Sequence, residues 1–139
     1  PFTTRYHWNQ YSNDINTAFV DMYTNAYGKV PDLFTSGTFT AASSIHQAVQ
    51  TSGSTEGIDI AGSMKGMTVA DTPKGTDAYT YQEYNNQARS EMTVAYPVPT
   101  TDEFADSWGA GIMPGEPAAR VSKDQTTIPV DDPGMGCDL

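Results

Sequence analysis

Few residues in this sequence have the types and spacing that bond-making chemistry requires. His7 and His46 are the only histidines, and no metalloprotease, dithiol, phosphate-loop or nucleophile-elbow motif accompanies them. His46 directly follows Ile45, on the flank of an apolar stripe at helical spacing, which suits a packed or solvated histidine better than a general base. Cys137 is the sole cysteine, so it cannot form an internal disulfide. Its Gly/Pro/Asp surroundings offer no base, and it reads as a free thiol or a partner for a cysteine elsewhere. Asp102-Glu103 and Asp131-Asp132 are carboxylate pairs, but sequence neighbours in an irregular tail are not a preorganised acid–base pair. A calcium loop needs acidic or amide side chains at alternate positions ahead of a glycine, and that spacing is missing. The sequence therefore reads as non-enzymatic, with no cofactor and no metal.

Binding has more support. Leu33-Phe34-Thr35 reads as a short buried strand that feeds Ser36-Gly37-Thr38-Phe39 and then a helix. Ligands of open α/β sheets sit beyond the carboxyl ends of strands, and the free N–H groups of a helix start favour a carboxylate. Ser36 and Thr38 would add hydroxyl donors, and Phe39 an aromatic face. The competing reading makes Thr38 a helix cap and Phe39 a core residue.

The elements that would position these residues are well punctuated. Residues 1–12, PFTTRYHWNQYS, are aromatic and polar without helical period and read as an extended lead-in. Asn13 or Asp14 can cap a first helix, in which Ile15, Ala18, Phe19, Met22, Tyr23 and Ala26 form one apolar stripe. Gly28 ends that helix and Pro31 prevents its continuation. Thr38 or Thr40 caps a second helix with Ala41, Ala42, Ile45, Ala48 and Val49 inward, and Gly53 stops it. Residues 54–63 read as a weak third helix. From Met67 the period changes to two. Strands are expected at 67–69, 78–81 and 90–96, the last with Met92, Val94 and Tyr96 on one face, and Pro97 and Pro99 close the set. The predicted class is α/β: two or three helices, one short parallel strand, a C-terminal antiparallel hairpin or meander, and an irregular acidic Gly/Pro-rich tail over 100–139.

Composition narrows the partners. A charge of −10, from 17 acidic and 7 basic residues, repels nucleic acid and anionic lipid. Such acidity suits a protein working in high salt, where screening relieves self-repulsion, and an ordinary acidic secreted protein is the alternative. At 37% hydrophobic residues, any core is thin. Without a signal peptide or initiator Met, the chain reads as processed, trimmed or part of something longer.

The ordered motifs carry a resemblance. Phe19-Val20-Asp21-Met22-Tyr23 runs to Tyr27-Gly28-Lys29-Val30-Pro31-Asp32, and Gly37-Thr38-Phe39-Thr40-Ala41 stands where Gly-Tyr-Asp-Ala is usual. Ala48-Val49-Gln50-Thr51-Ser52-Gly53-Ser54 follows, then Thr72-Pro73-Lys74-Gly75 and Asn85-Asn86-Gln87. Over about residues 13 to 97 this resembles the C-terminal third of the type I periplasmic binding proteins of branched-chain amino acid and amide ABC transporters. The resemblance implies a piece of a two-lobed clamshell: residues 1–99 would be its C-terminal part, with 1–12 a crossover, 13–63 a piece of the first lobe and 64–99 a hairpin of the second. Tyr6, His7 and Trp8 would then pass the cleft. It further implies a small-molecule solute such as an amino acid or amide, a membrane permease as partner, and a remainder upstream of Pro1. The implied location is extracellular, at the cell surface, anchored by lipid through that upstream part, and the acidity suggests a halophilic archaeon. A ligand-sensing receptor domain of the same fold and a structural cell-surface module are the alternatives.

Overall fold

The computed structural model describes residue 2, residues 5–101 and residues 109–132. The pair Asp102-Glu103, Trp108 and Cys137 lie outside the described residues.

Helix α1 spans Asp14–Tyr27. Asn13 is its cap: the Asn13 side-chain oxygen accepts the Asn16 N–H at 2.9 Å. Gly28, in the left-handed region at φ 68°, ends it, and its N–H returns to the Thr24 carbonyl. The expected stripe is only partly inward. Phe19 and the polar Asn16 are buried, Ile15 and Tyr23 are half-buried, and Ala18, Met22 and Ala26 are exposed.

Helix α2 runs unbroken from Leu33 to Ser52, which replaces the short strand expected at 33–35. The reason is Asp32. Its carboxylate accepts both the Thr35 N–H at 2.9 Å and the Thr35 hydroxyl at 2.7 Å, so the Pro31-Asp32 pair that stops one helix starts the next. Those hydrogen bonds, the Thr35 N–H above all, hold the Asp32 carboxyl below its usual pKa. Gly37 does not break α2. It sits mid-helix in open space, at a cost of about 1 kcal/mol relative to Ala. The buried face is also rotated from the expected one. Ser36, Thr40, Ser44 and Ala48, four residues apart, face inward, while Ala41, Ala42 and Ile45 are exposed. Thr40 and Ser44 satisfy their hydroxyls on the carbonyls one turn back, so both are buried with a partner.

Helix α3, Gly57–Met64, forms where a weak third helix was expected, and the Ser63 hydroxyl ties it to the Ala48 carbonyl of α2. Strands β1 (Thr68–Val69), β2 (Tyr79–Tyr81) and β3 (Ala88–Ser90) make an antiparallel sheet in that order. Among the described residues every strand pairing is antiparallel, so the expected parallel strand is not formed. The Gln47 amide docks α2 on the sheet, donating to the Thr68 carbonyl at 2.8 Å and accepting from the Ala70 N–H at 2.9 Å.

The strand expected over 90–96 divides at Glu91. Strand β4, Met92–Pro99, belongs to a separate two-stranded ribbon, and its buried residues are Thr93 and Ala95, on the face opposite to Met92, Val94 and Tyr96. Its partner β5, Ile112–Val121, lies within the stretch expected to be irregular. The ribbon tolerates Pro97, Pro99, Pro114 and Pro117 because each strand has a free edge and the register shifts near Ala95. Gly115 makes the approach possible: a Cβ there would lie 2.9 Å from Val98 Cγ1 and 3.0 Å from the Tyr96 carbonyl oxygen.

Candidate ligand-binding site

Residues 5–12 form a loop rather than an extended strand. A turn at Trp8 and Asn9 is closed by the Gln10 N–H on the His7 carbonyl at 3.1 Å. Asn16, on the first turns of α1, organises this loop. Its amide oxygen accepts the Tyr6 hydroxyl at 2.7 Å, and its NH2 donates to the carbonyls of Trp8 at 2.8 Å and Tyr11 at 2.9 Å. Nothing in the composition marks Asn16, but its place does: it is a polar residue three positions before Phe19, on the inward face of a helix.

Aromatic rings pack beneath the loop. Tyr6 stacks on Tyr11 with centroids 5.7 Å apart, and Phe19 meets Phe39 edge-on at 5.2 Å. Trp8 and Leu33 pack against the same cluster. Burial pushes the Tyr6 phenol well above its usual pKa and the Tyr11 phenol up to about 12. Burial, with the Arg5 charge second, holds His7 down to about 4, so His7 is neutral at physiological pH.

Other ties join the loop to β5. Asn9 donates to the Pro114 carbonyl at 2.8 Å, and Gln10 donates to the Gly115 carbonyl at 3.0 Å while accepting the Thr93 hydroxyl at 2.6 Å. Arg120 reaches the Gln10 carbonyl at 2.7 Å. These polar side chains were not singled out in the sequence, because their partners lie more than eighty residues away.

The loop and α1 line an open groove of about 500 Å³, with Trp8, Asn9, Ser12, Asn13, Thr17 and Asp21 along it. Asp14 also lines it, and among the described residues no basic side chain does. The arrangement can accept hydrogen bonds and offer an aromatic face.

The five residues expected at a site divide in the structure. Tyr6, Trp8 and Phe39 come together in one cluster, and Trp8 alone of the five lines the groove. Ser36 is buried within α2, and Thr38 is exposed with its hydroxyl bonded to the Phe34 carbonyl. The helix start that was to supply free N–H groups at 36–39 lies at Leu33 instead, where Asp32 takes the Thr35 N–H.

Comparisons with known proteins agree with this architecture. A branched-chain amino acid ABC-type transporter protein from Rhodopseudomonas palustris CGA009 is similar at 25% identity and TM-score 0.76, over 94% of this chain and 33% of its own. The leucine-, isoleucine-, valine-, threonine- and alanine-binding protein of Brucella ovis, in a closed conformation, is similar in fold at 19% identity and TM-score 0.72, over 93% and 33%. A solute-binding protein of an ABC transporter from Rhodopseudomonas palustris BisB5, solved with 3,4-dihydroxybenzoic acid, is similar in fold at 18% identity and TM-score 0.65, over 88% and 29%. The chain thus spans about a third of the length of these structures. A comparison with curated protein sequences gives no match. A family model described as periplasmic binding protein matches residues 1–101 of the 139, and the chain belongs to that family.

Proposed function

We propose that the chain is part of an extracellular solute-binding protein that delivers a small amino acid-like or amide-like solute to an ABC permease in the membrane. It does so without chemical turnover. Residues 13–63 would belong to one lobe and residues 64–99 to the other, with the 5–12 loop at their junction. The observation that carries the reading is the groove beside Trp8. Its ~500 Å³ is the size of a small-molecule site, yet it is open, and a solute gains little until a second wall excludes water. A two-lobed protein supplies that wall by hinge closure. Among the described residues, no helix is long and apolar enough to cross a membrane. Salt adaptation has its support in the charge of −10, while the similar structures come from Rhodopseudomonas palustris and Brucella ovis.

The lining chemistry sets the orientation. Asp14 and Asp21, in a groove that no described basic side chain lines, would favour the N–H-bearing end of a solute over a carboxylate. Trp8 would face the solute directly. Tyr6 and Phe39 would hold Trp8 from below, and Ser36 and Thr38 would support the helix rather than touch the solute.

Calorimetry of the protein that carries these residues, against leucine, alanine, simple amides and urea, tests the proposal. One member of the panel should bind, and Trp8→Ala should weaken it about tenfold or more, a loss of about 1.4 kcal/mol. Thr17→Val should weaken it less. No heat with any member, or an affinity untouched by both substitutions, would sink the reading.

A further inference from the structure

The sequence has only 7 basic residues against 17 acidic ones. Four of the seven, Lys74, Arg89, Arg120 and Lys123, converge on the seam where β3 and β4 meet residues 120–127. Two of the four are paired: Arg120 with Glu91 at 2.6 Å, and Arg89 with Asp124 at 3.4 Å. The two lysines have only neutral acceptors among the described residues. Lys74 Nζ donates to the Ser90 hydroxyl at 2.9 Å and the Glu91 carbonyl at 2.7 Å. Lys123 Nζ donates to the Asp77 carbonyl and the Thr80 hydroxyl, both at 3.2 Å. Each ammonium has three protons and spends two on these contacts.

Both lysines line one pocket of about 330 Å³, together with Thr76, Ala78, Glu91 and Ser122. Among the described residues, Glu91 is the only acidic side chain lining it, and Arg120 already holds its carboxylate. Lys74 also lies over the rings of Tyr11 and Tyr79, at 5.9 and 5.2 Å, which stabilise a cation without neutralising it. We propose that this pocket is a binding site for a small oxyanion, a carboxylate or an inorganic phosphate, clasped between Lys74 and Lys123. The site is separate from the Trp8 groove and does not depend on it. An anion there would complete the third hydrogen bond of each ammonium and add to the counter-charge that Lys74 has from Glu91 alone. A fixed site of this sign stands out in a chain that otherwise repels anions.

The four lysines, Lys29, Lys65, Lys74 and Lys123, make the test direct. The chain, labelled in its lysine side chains, is titrated by NMR with acetate and separately with inorganic phosphate, with sodium chloride at matched ionic strength as reference. Lys74 and Lys123 should move together and saturate with one of the two anions, which identifies the oxyanion class. Lys29 and Lys65 should follow ionic strength alone. Lys123→Gln should weaken the saturable shift at Lys74 about tenfold, and Lys123→Arg should keep it within about threefold. Equal movement of all four lysines, no saturation with either anion, or saturation that survives Lys123→Gln would overturn the assignment. Retention in Lys123→Arg guards against misreading a folding defect in Lys123→Gln.

Discussion

The two halves of the molecule are held in different ways. Around α1 and the start of α2, the large buried side chains are aromatic: Tyr6, Tyr11 and Phe19, with Phe39 and Trp8 against them. In the β half, the buried described residues are Val69, Thr72, Pro73, Gln82, Ser90, Thr93, Ala95 and Pro114, so most are small or polar. Aromatic packing and the hydrogen bonds of Asn16 fix the first half, and hydrogen bonds among small or polar groups fix the second. The first should therefore respond most to lost volume and next to the loss of Asn16, and the second to charge and to smaller lost partners.

The largest effect should separate residues of one expected stripe. Phe19→Ala removes the ring shared by Tyr6, Tyr23 and Phe39 and should cost about 3–4 kcal/mol in urea unfolding. Met22→Ala, at a side chain 62% exposed, should stay within about 0.5 kcal/mol. Equal losses would show that α1 is seated differently from its described position.

Asn16→Ala comes next. It strands the Tyr6 hydroxyl and two loop carbonyls in a buried place, and unmet buried groups cost about 1–3 kcal/mol each before relaxation. A net loss of about 2–3 kcal/mol should appear in unfolding. The amides of Trp8 to Tyr11 should also lose hydrogen-exchange protection, which truncation at Phe19 need not cause locally. Unchanged exchange in that loop would remove Asn16 from its organising role.

These two sites show how legible the fold was. The caps were readable because they are local: Asn13, Gly28 and Gly53 each act within four residues of their own position. The strand expected at Leu33 failed because Pro31-Asp32 serves as both a stop and a start, and three apolar residues cannot decide a period. The tail looked too poor to fold because its partner was out of sight. Strand β5 gains its contacts from β4 and from Asn9 and Gln10, and no window along the sequence brings those together. The candidate site was half legible for the same reason. Trp8, Tyr6 and Phe39 were visible as aromatics. Asn16, Lys74 and Lys123 gain meaning only from contacts across space.

Acid should act on the loop next. His7 titrates near 4 when folded, against about 6.5 for a free side chain. The unfolded chain therefore binds more protons between these values, and stability present above pH 6.5 is lost as pH falls toward 4. The expected loss is roughly 2 kcal/mol. His7→Gln should flatten that part of the stability profile. The same slope in the variant would assign the effect to carboxylates instead.

The smallest effects belong to the charges of the β half. Arg120–Glu91 is half-exposed and close, and Glu91→Gln should cost about 0.5–1 kcal/mol. Arg89–Asp124 is longer, with Asp124 78% exposed, so Asp124→Asn should fall within about 0.3 kcal/mol. At low salt that substitution can even stabilise, because it removes one of 17 negative charges from a chain at −10. Salt acts on the two terms in opposite directions. Screening weakens the pairs, but it also relieves repulsion summed over the whole surface, and the second term involves many more charges. The melting temperature should therefore rise from low to molar salt in the parent chain, and rise less in Asp124→Asn. A melting temperature that stayed level or fell with salt would mean that the few pairs at the seam outweigh the net charge.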